Sequence, residues 1–400
     1  MNFVPVIAGG YVNAYSIART FHETYGINSL ICNYQSDFTS YSSFCECINV
    51  PDPRYCEQPL LAAMREIGLK LAHQGKKAIL FVTGDEWLTI FSKHKHVLED
   101  IFEFTFPDWN VVEQLTIKDK LYKLCDKLLI KYPKTCVCFT NNISDCKALK
   151  PPILIKPSSV TDFISAFSRG PRNQVFSSHE EVAQYIQKKF IEGYSSPFIV
   201  QEYIPGGIEN LYTITTFSDS NKVLKGVSIG HKLTQYPKDA GTITSGLVKY
   251  EPAIIQPAKQ ILEAVGYYGI SNIEFKYDTR EGTYNLIEVN PRPGMWNYSS
   301  YKSGINLFEM LIKDIVLKEF IPYSEGRKPF LWTVLSKDKV LNEIKGTGNE
   351  TIVRQLIRQG DYIDPRKNKA ESMIYDLNVR ILDVELKTRY FLKRLLGVKR

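Results

Sequence analysis

The stretch from residue 271 to residue 292, SNIEFKYDTREGTYNLIEVNPR, restricts the fold more than any other part of the sequence. Two runs of apolar and aromatic residues flank the short turn TREG, which predicts a β-hairpin. Side chains two positions apart on a strand point to the same face, so Glu288 and Asn290 share a face. A strand that only packs a core would carry apolar residues there. That face must therefore lie beneath something polar or charged.

The carboxylates of this hairpin predict a metal site. The turn brings Glu274 roughly opposite Glu288, and two facing carboxylates repel each other when they are buried unpaired. A hard divalent cation reverses that effect, because Mg²⁺ prefers carboxylate or amide oxygens together with water and phosphate oxygens. Glu274, Glu288 and Asn290 are the predicted ligands of Mg²⁺, with Mn²⁺ as an alternative. Arg292 adds a positive charge that suits an oxyanion.

A solvated hairpin face that carries ordinary surface charge is the alternative interpretation. The residues that flank the polar positions argue against it, because they are apolar and indicate burial. These residues are Ile273, Phe275, Leu286, Ile287 and Val289. We therefore favour the metal site.

The first hundred residues alternate strands with helices. Residues 3–26, FVPVIAGGYVNAYSIARTFHETYG, predict a buried strand, a Gly9-Gly10 turn and an amphipathic helix. Residues 27–34 predict a second strand, and residues 76–94 predict a strand that leads into a helix. This alternation indicates an α/β fold with a parallel, doubly wound sheet. The Gly-Gly turn lacks the spacing of a dinucleotide fingerprint, so we interpret it as a tight turn.

The pattern changes near residue 116. A lysine-rich helix, TIKDKLYKLCDKLLIKYPKT, precedes short strands around PPILIKPSS and PFIVQEYIPGG, and antiparallel strands follow as far as the hairpin. Four hundred residues are too many for one compact core, so we expect several domains. We predict an N-terminal domain over 1–115, a mixed-sheet domain over 116–320 with a small lid over about 150–203, and a helix-rich extension over 321–400.

Charge and composition exclude several classes of function. The net charge of +7 is modest and suits phosphate-bearing ligands, and no nucleic-acid-binding motif is visible. No secretory signal and no uninterrupted run of about 18 apolar residues occurs, so we expect a cytoplasmic protein. The eight cysteines include the pairs Cys45/Cys47 and Cys136/Cys138, but no C-x-x-C or nearby His-x₃-His completes a zinc pattern. Separate thiols are therefore favoured over a metal site.

The order of the segments IKPSS, VQEYIPGG, NIEFKYD and IEVNPR resembles the ATP-grasp superfamily. More narrowly, the opening PVI.G...NAYSIARTFHE.YG and the helix that ends in YPKT resemble the D-aspartate ligases of bacterial cell-wall synthesis. The likeness extends over about residues 3–310. It implies an ATP-grasp fold and an ATP-dependent carboxylate–amine ligase that forms an amide through an acyl phosphate.

The resemblance also implies roles for individual residues. Lys118, with Lys120 as the alternative, matches the first lysine on the ATP phosphates, and Lys156 matches the second. Lys156 also follows an apolar strand, where a cation can clamp a phosphate. Without the resemblance, Lys118 would be interpreted as an ordinary solvated lysine on a helix. Lys232 matches a basic catalytic residue near the phosphates or the acyl group.

The segment VQEYI resembles the hinge that holds adenine. Gln201 and Glu202 belong to it, and Glu202 or its backbone, together with Ile204, would contact the adenine edge. Glu209 would accept hydrogen bonds from the ribose hydroxyls, unless it is simply an exposed turn residue. His231, beside Lys232, is interpreted as structural.

Two segments depart from the family pattern. No Gly-rich loop follows Lys156, and only SRGPRN, with Arg169 and Arg172, stands in its place. Another segment differs from the D-aspartate ligase pattern where the substrate should lie; it contains Trp296, Asn297, Tyr298 and Ser299. The amino-acid substrate could therefore be D-aspartate or a different amino acid. The implied partners are a small carboxylate and an amine acceptor, such as a cell-envelope precursor. A kinase on the same fold and a nucleotide-binding module without turnover are the alternatives.

The C-terminal tail, ILDVELKTRYFLKRLLGVKR, has the spacing of a basic amphipathic helix, with Leu382, Leu386 and Tyr390 on one side. Such a helix can lie on an anionic membrane surface. The favoured interpretation is a helix packed on the preceding domain, because Asp383 and Glu385 dilute its basic face and the helix dipole favours its basic end.

Overall fold

The computed structural model describes residues 2–139, 144–158, 160–167, 173–236, 241–369, 371–381 and 384. The chain forms two compact units. The first consists of the described residues of Met1–Ile130, Gly207–Lys276 and Ile287–Leu382. The second consists of the described residues of Lys131–Gly206, Tyr277–Leu286 and Asp383–Arg400.

A five-stranded parallel sheet lies at the start of the first unit. Its strands are β1 (Phe3–Ala8), β2 (Ser29–Asn33), β3 (Cys45–Asn49), β4 (Lys77–Val82) and β5 (Phe102–Phe104). Their spatial order is β3-β2-β1-β4-β5, so the strand order reverses between β1 and β4. The doubly wound sheet predicted from the sequence is therefore confirmed. In sheets of this type, ligands bind beyond the carboxyl ends of the strands at the point of reversal.

Helices connect these strands and continue after them. They are α1 (Tyr11–Tyr25), α2 (Glu57–His73), α3 (Asp85–Lys93), α4 (Lys95–Leu98), α5 (Trp109–Thr116) and α6 (Lys118–Leu128). Apart from the edge strand β3, these strands are mainly apolar and buried beneath the helices. The cores include Ile7, Phe81 and Trp87, each at most 1% exposed.

The second unit contains a four-stranded sheet with the order β6-β9-β7-β8. Its elements are β6 (Thr135–Cys138), β7 (Ile153–Pro157), α7 (Val160–Phe167), β8 (Gln174–Phe176), α8 (His179–Ile191) and β9 (Phe198–Glu202). Cys136 and Cys146 form a disulfide. The interpretation of all eight cysteines as separate thiols is wrong for this pair, because the fold brings together residues ten positions apart.

The third sheet has eight strands. Its path is β14-β13-β10-β11-β12-β16-β17, and β15 pairs with β11. These strands are β10 (Leu211–Ser218), β11 (Leu224–Tyr236), β12 (Thr242–Val248), β13 (Gly269–Asp278), β14 (Thr283–Asn290), β15 (Ser324–Gly326), β16 (Phe330–Thr333) and β17 (Tyr362–Ile363). Antiparallel and parallel pairs both occur, so the predicted mixed sheet is confirmed.

Further helices pack around this sheet. They are α9 (Ile255–Ala264), α10 (Tyr298–Lys302), α11 (Leu307–Ile312), α12 (Lys337–Glu343) and α13 (Glu350–Gln359). Short 3-10 turns occupy Phe38–Tyr41, Ser144–Ala148, Ile208–Asn210 and Pro252–Ile254, and a π-helical turn occupies Lys313–Leu317. Within the described residues, no helix is long and apolar enough to cross a membrane.

The last described residues of the first unit pack on its N-terminal sheet. The Tyr375 ring stacks on that of Tyr15, with 5.2 Å between the ring centroids. Glu371 accepts hydrogen bonds from the hydroxyls of Tyr15, Ser42 and Ser43. The segment after α13 therefore belongs to this core. The predicted tail helix from Leu382 onward lies outside the described residues, apart from residue 384.

Candidate active site

The hairpin of β13 and β14 carries the predicted metal ligands, and Lys118 lies against it. The Lys118 side chain extends from the start of α6, and its Nζ donates a hydrogen bond to the backbone oxygen of Ile287, 2.8 Å away. Burial lowers the pKa of Lys118 below its usual value, and the negative charges of Glu288 and Glu274 oppose that shift. The charges of both carboxylates therefore act on the same ammonium group.

Lys232 meets the same hairpin from the other side of β10. Thr213 on β10 is paired with Glu274 on β13 and with Gly230 on β11. Since directly paired residues share a face, Lys232, two residues beyond Gly230, lies on the face of Glu274. Its Nζ is 3.2 Å from a carboxylate oxygen of Glu274, and the residue is 9% exposed. Glu274 is thus neutralised by a largely buried lysine.

Arg292 follows β14 and is held by a carboxylate that sequence reasoning missed. Its Nε is 2.7 Å from Asp85 Oδ1 and its Nη2 is 3.1 Å from Oδ2, a two-pronged contact. Asp85 begins α3, directly after the turn that follows β4. Burial lowers the pKa of Arg292, but Asp85, Glu288 and Glu86 outweigh it and raise that pKa overall. The signal was the TGDE turn at the carboxyl end of β4.

These contacts bring most of the predicted charged residues of the first unit together. Glu288 acts on both Lys118 and Arg292, and Glu274 acts on both Lys118 and Lys232. Asn290 is half-buried at the end of β14, and its backbone oxygen accepts a hydrogen bond from the Arg292 N–H. Lys120, the alternative to Lys118, instead pairs with Glu113 on α5, with 2.9 Å between the charged atoms.

Glu209 and His231 lie near each other in the first unit. The Glu209 carboxylate accepts a hydrogen bond from the Gly207 N–H, 2.9 Å away. His231 is 2% exposed, and burial lowers its pKa to about 4, with a further contribution from Lys249. A neutral, buried imidazole in contact with the Tyr212 ring is in keeping with the structural role expected for His231.

In the second unit, three polar residues form a chain across the sheet. Lys156 Nζ donates to Gln201 Oε1, 3.1 Å away, and Gln201 Nε2 donates to Thr135 Oγ1, 2.7 Å away. Gln201 is 2% exposed, so this amide is fixed by its two partners. Glu202 accepts a hydrogen bond from the Lys150 N–H, and Ile204 is buried. The segment SRGPRN, with Arg169 and Arg172, lies outside the described residues except for Asn173.

A cavity of about 150 Å³ opens at the carboxyl ends of β1 and β4. Gly9, Thr83, Glu86 and Trp87 are among the residues that line it. Gly9 has φ of +109°, and a Cβ there would lie 1.9 Å from Thr83 Oγ1, so glycine is required. Because Glu86 also acts on Arg292, the cavity adjoins the charged cluster within the first unit. The sequence suggested only a tight turn here.

The segment that departs from the D-aspartate ligase pattern is buried. Trp296 Nε1 donates to Asn272 Oδ1, Asn297 Nδ2 donates to Asn13 Oδ1, and the Tyr298 hydroxyl donates to Glu23. Ser299 is 2% exposed. These side chains connect the end of the hairpin to α1 and to the sheet.

Known proteins resemble this chain in sequence and in fold. Residues 195–329 match the family model described as "ATP-grasp in the biosynthetic pathway with Ter operon". A D-aspartate ligase of Enterococcus faecium is 27% identical over 381 residues, which cover 90% of this chain and 89% of that protein.

Two solved structures share the fold. An L-amino acid ligase from Bacillus licheniformis superposes with a TM-score of 0.60 at 17% identity, covering 80% of this chain and 76% of that one. An N5-carboxyaminoimidazole synthetase from Staphylococcus aureus, complexed with ADP, superposes with a TM-score of 0.61 at 14% identity. The superposition covers 87% of this chain and 87% of that one. The resemblance read from the sequence is confirmed: the chain has the ATP-grasp fold, and the proteins that it matches in sequence and in fold include ATP-grasp carboxylate–amine ligases.

Proposed function

We propose that this protein uses ATP to join an amino-acid carboxylate, such as that of D-aspartate, to an amine of a cell-envelope precursor. The observation that carries this proposal is the charged cluster of the first unit, in which Lys118, Lys232 and Arg292 meet Glu274 and Glu288. The D-aspartate ligase that matches nine-tenths of the chain supports the amino-acid class.

The donor set fits a hard divalent cation. Glu274, Glu288 and Asn290 are half-buried and offer carboxylate and amide oxygens, which suit Mg²⁺ or Mn²⁺. The ammonium groups of Lys118 and Lys232 balance the charges of the two carboxylates. A divalent ion would supply the same two positive charges. When bound, the metal would neutralise charge on the nucleotide phosphates.

Lysine and arginine side chains of the protein would act in both steps of the proposed reaction. A carboxylate oxygen of the amino acid attacks the γ-phosphorus of ATP, and the bond to the ADP oxygen breaks. The amine nitrogen then attacks the acyl carbon, phosphate leaves, and the nitrogen releases a proton. Lys118 and Lys156 would bind phosphate oxygens, and Lys232 and Arg292 would stabilise the oxyanions that form. Catalysis is then mainly positioning and charge neutralisation.

The proposed reaction also needs residues that recognise the nucleotide. Gln201 fixes the Lys156 ammonium, while Glu202 and Ile204 would contact the adenine and Glu209 the ribose. An enzyme that consumes ATP must work where ATP is supplied, which supports a cytoplasmic location. We also retain the division into an N-terminal domain over 1–115, an ATP-grasp domain over 116–320 and an extension over 321–400.

Hydroxylamine trapping tests this function. The protein is incubated with Mg·ATP and single amino acids of both configurations, without an amine acceptor, and hydroxamate and phosphate are measured together. We expect hydroxamate with one acidic amino acid. A stable phosphorylated product that resists hydroxylamine would instead indicate a kinase, and nucleotide binding without phosphate release under any condition would indicate a binding module.

A further inference from the structure

Three sulfur atoms meet in the second unit, and none of the three cysteines is assigned a role in the ligase reaction. Cys136 and Cys146 form a disulfide, and the Sγ of Cys138 lies 3.1 Å from that of Cys146. The three Sγ atoms all lie within 4.8 Å of one another. A disulfide requires two sulfurs, so the position of the third calls for a separate explanation.

We propose that Cys136, Cys138 and Cys146, once the disulfide is reduced, form a three-thiolate site for a soft metal ion such as Zn²⁺. Thiolates are the ligands that select Zn²⁺ and Cu(I) over hard cations. Zn–S bonds of about 2.3 Å in a tetrahedral arrangement place sulfur atoms about 3.8 Å apart. The three Sγ atoms lie within 4.8 Å of one another, a span that includes this spacing, and three thiolates leave a fourth position for water or another small donor.

The surroundings favour a bound cation over three bare thiolates. Cys138 is 4% exposed and Cys146 is fully buried, and both belong to the apolar cluster that includes Ile153 and Phe198. Negative thiolates in such a cluster need a partner charge, which a divalent ion would supply. Cys136 is half-buried and offers a route from solvent.

The site would fix one edge of the second unit. Cys136 and Cys138 lie on β6, an outer strand of the four-stranded sheet, whereas Cys146 lies in the 3-10 turn Ser144–Ala148. A metal held by all three would tie this turn to the strand. The same strand contains Thr135, which holds Gln201 and through it Lys156.

The chemistry balances with a named reductant. A phosphine reduces the disulfide with one water molecule, which yields two thiols and the phosphine oxide. Zn²⁺ then displaces up to three protons as the thiols become thiolates. The disulfide and the metal are alternative states of the same cluster.

The test uses the full-length, tag-free protein, reduced with a phosphine without oxygen and titrated with Zn²⁺ against a chromophoric chelator. We expect one equivalent to bind, and Co²⁺ in its place to give a thiolate charge-transfer band. Cys138→Ser should weaken Zn²⁺ binding at least about tenfold. The matched control is Cys47→Ser, an exposed cysteine of β3 outside the cluster, which should bind like the wild type.

Three results would overturn the proposal. These are absence of Zn²⁺ binding by the reduced wild type, equal binding by Cys138→Ser, and equal binding by the oxidised protein. Cys136→Ser serves as a second variant if Cys138→Ser does not fold, as judged by circular dichroism. It removes the half-buried ligand and should lose the Co²⁺ band as well.

Discussion

Replacing Glu288 by glutamine removes one negative charge from the charged cluster while keeping the side-chain volume. Glu288 acts on both Lys118 and Arg292, and it is one of the two carboxylates proposed to hold Mg²⁺. In general, a unit negative and a unit positive charge about 4 Å apart interact by about 4 kcal/mol at an effective dielectric constant of about 20. We therefore expect the variant to lose about a hundredfold or more in turnover with Mg·ATP, because 1.4 kcal/mol corresponds to about a factor of ten.

The same substitution has an opposite effect on nucleotide without metal. With Glu288 neutral, the positive charges of Lys118 and Arg292 are less compensated, so ADP in the presence of a chelator should bind as tightly as in the wild type or more tightly. A general loss of folding would instead weaken ADP binding under both conditions. The two measurements together separate a metal role from a structural one.

Glu281→Gln is the matched control, because Glu281 lies in the turn of the same hairpin and forms a solvent-exposed ion pair with Lys131. Phosphate release is measured against Mg²⁺ concentration for both variants, and ADP binding is measured by calorimetry with and without chelator. Near wild-type turnover of Glu288→Gln at limiting Mg²⁺ would refute the assignment of this carboxylate to the metal.

Four further outcomes are expected. Lys156→Met should weaken ATP binding in calorimetry more than Lys120→Met, because Lys120 is a partly exposed partner of Glu113, and equal losses would contradict this order. In Lys232→Met no ammonium competes with Mg²⁺ for Glu274, so we expect tighter Mg²⁺ binding to the free protein and slower turnover. Weaker Mg²⁺ binding would contradict this competition between Lys232 and Mg²⁺. Burial raises the pKa of Glu23, but hydrogen bonds from Arg19 and Tyr298 lower it overall. The Tm difference between the wild type and Glu23→Gln should therefore be fully present above about pH 5 and vanish at lower pH. A Tm difference that persists in acid would exclude the ionised Glu23 carboxylate as its cause. Vesicle flotation at low salt should show no binding of the chain to anionic lipid, and binding that disappears on deletion of residues 387–400 would establish the membrane role instead.

Local pattern was enough for the fold class and for the polar face of the hairpin, whereas Lys118 and Lys232 were predicted from the family resemblance. Strand–helix alternation indicated the doubly wound sheet, and the alternation of Glu288 and Asn290 indicated a polar face, because both signals depend on near neighbours in sequence. The residues that pair with these charged groups are distant from them in sequence. Asp85 lies 207 positions before Arg292, and a single sequence has no periodicity that connects them. The same holds for Cys146, which the turn Ser144–Ala148 brings to the C-x-C pair.

The charge balance of the cluster suggests how metal and nucleotide binding are coupled. Lys232 contacts Glu274 at 3.2 Å and is only 9% exposed, so it has a partner while no ligand is bound. A divalent cation that binds Glu274 takes over that carboxylate, and the Lys232 ammonium then needs another anion nearby. A phosphate or an acyl oxyanion supplies one, so each ligand raises the affinity for the other by the same factor. We therefore propose that Lys232, the ion-pair partner of Glu274, is the group that would bind the reacting oxygens.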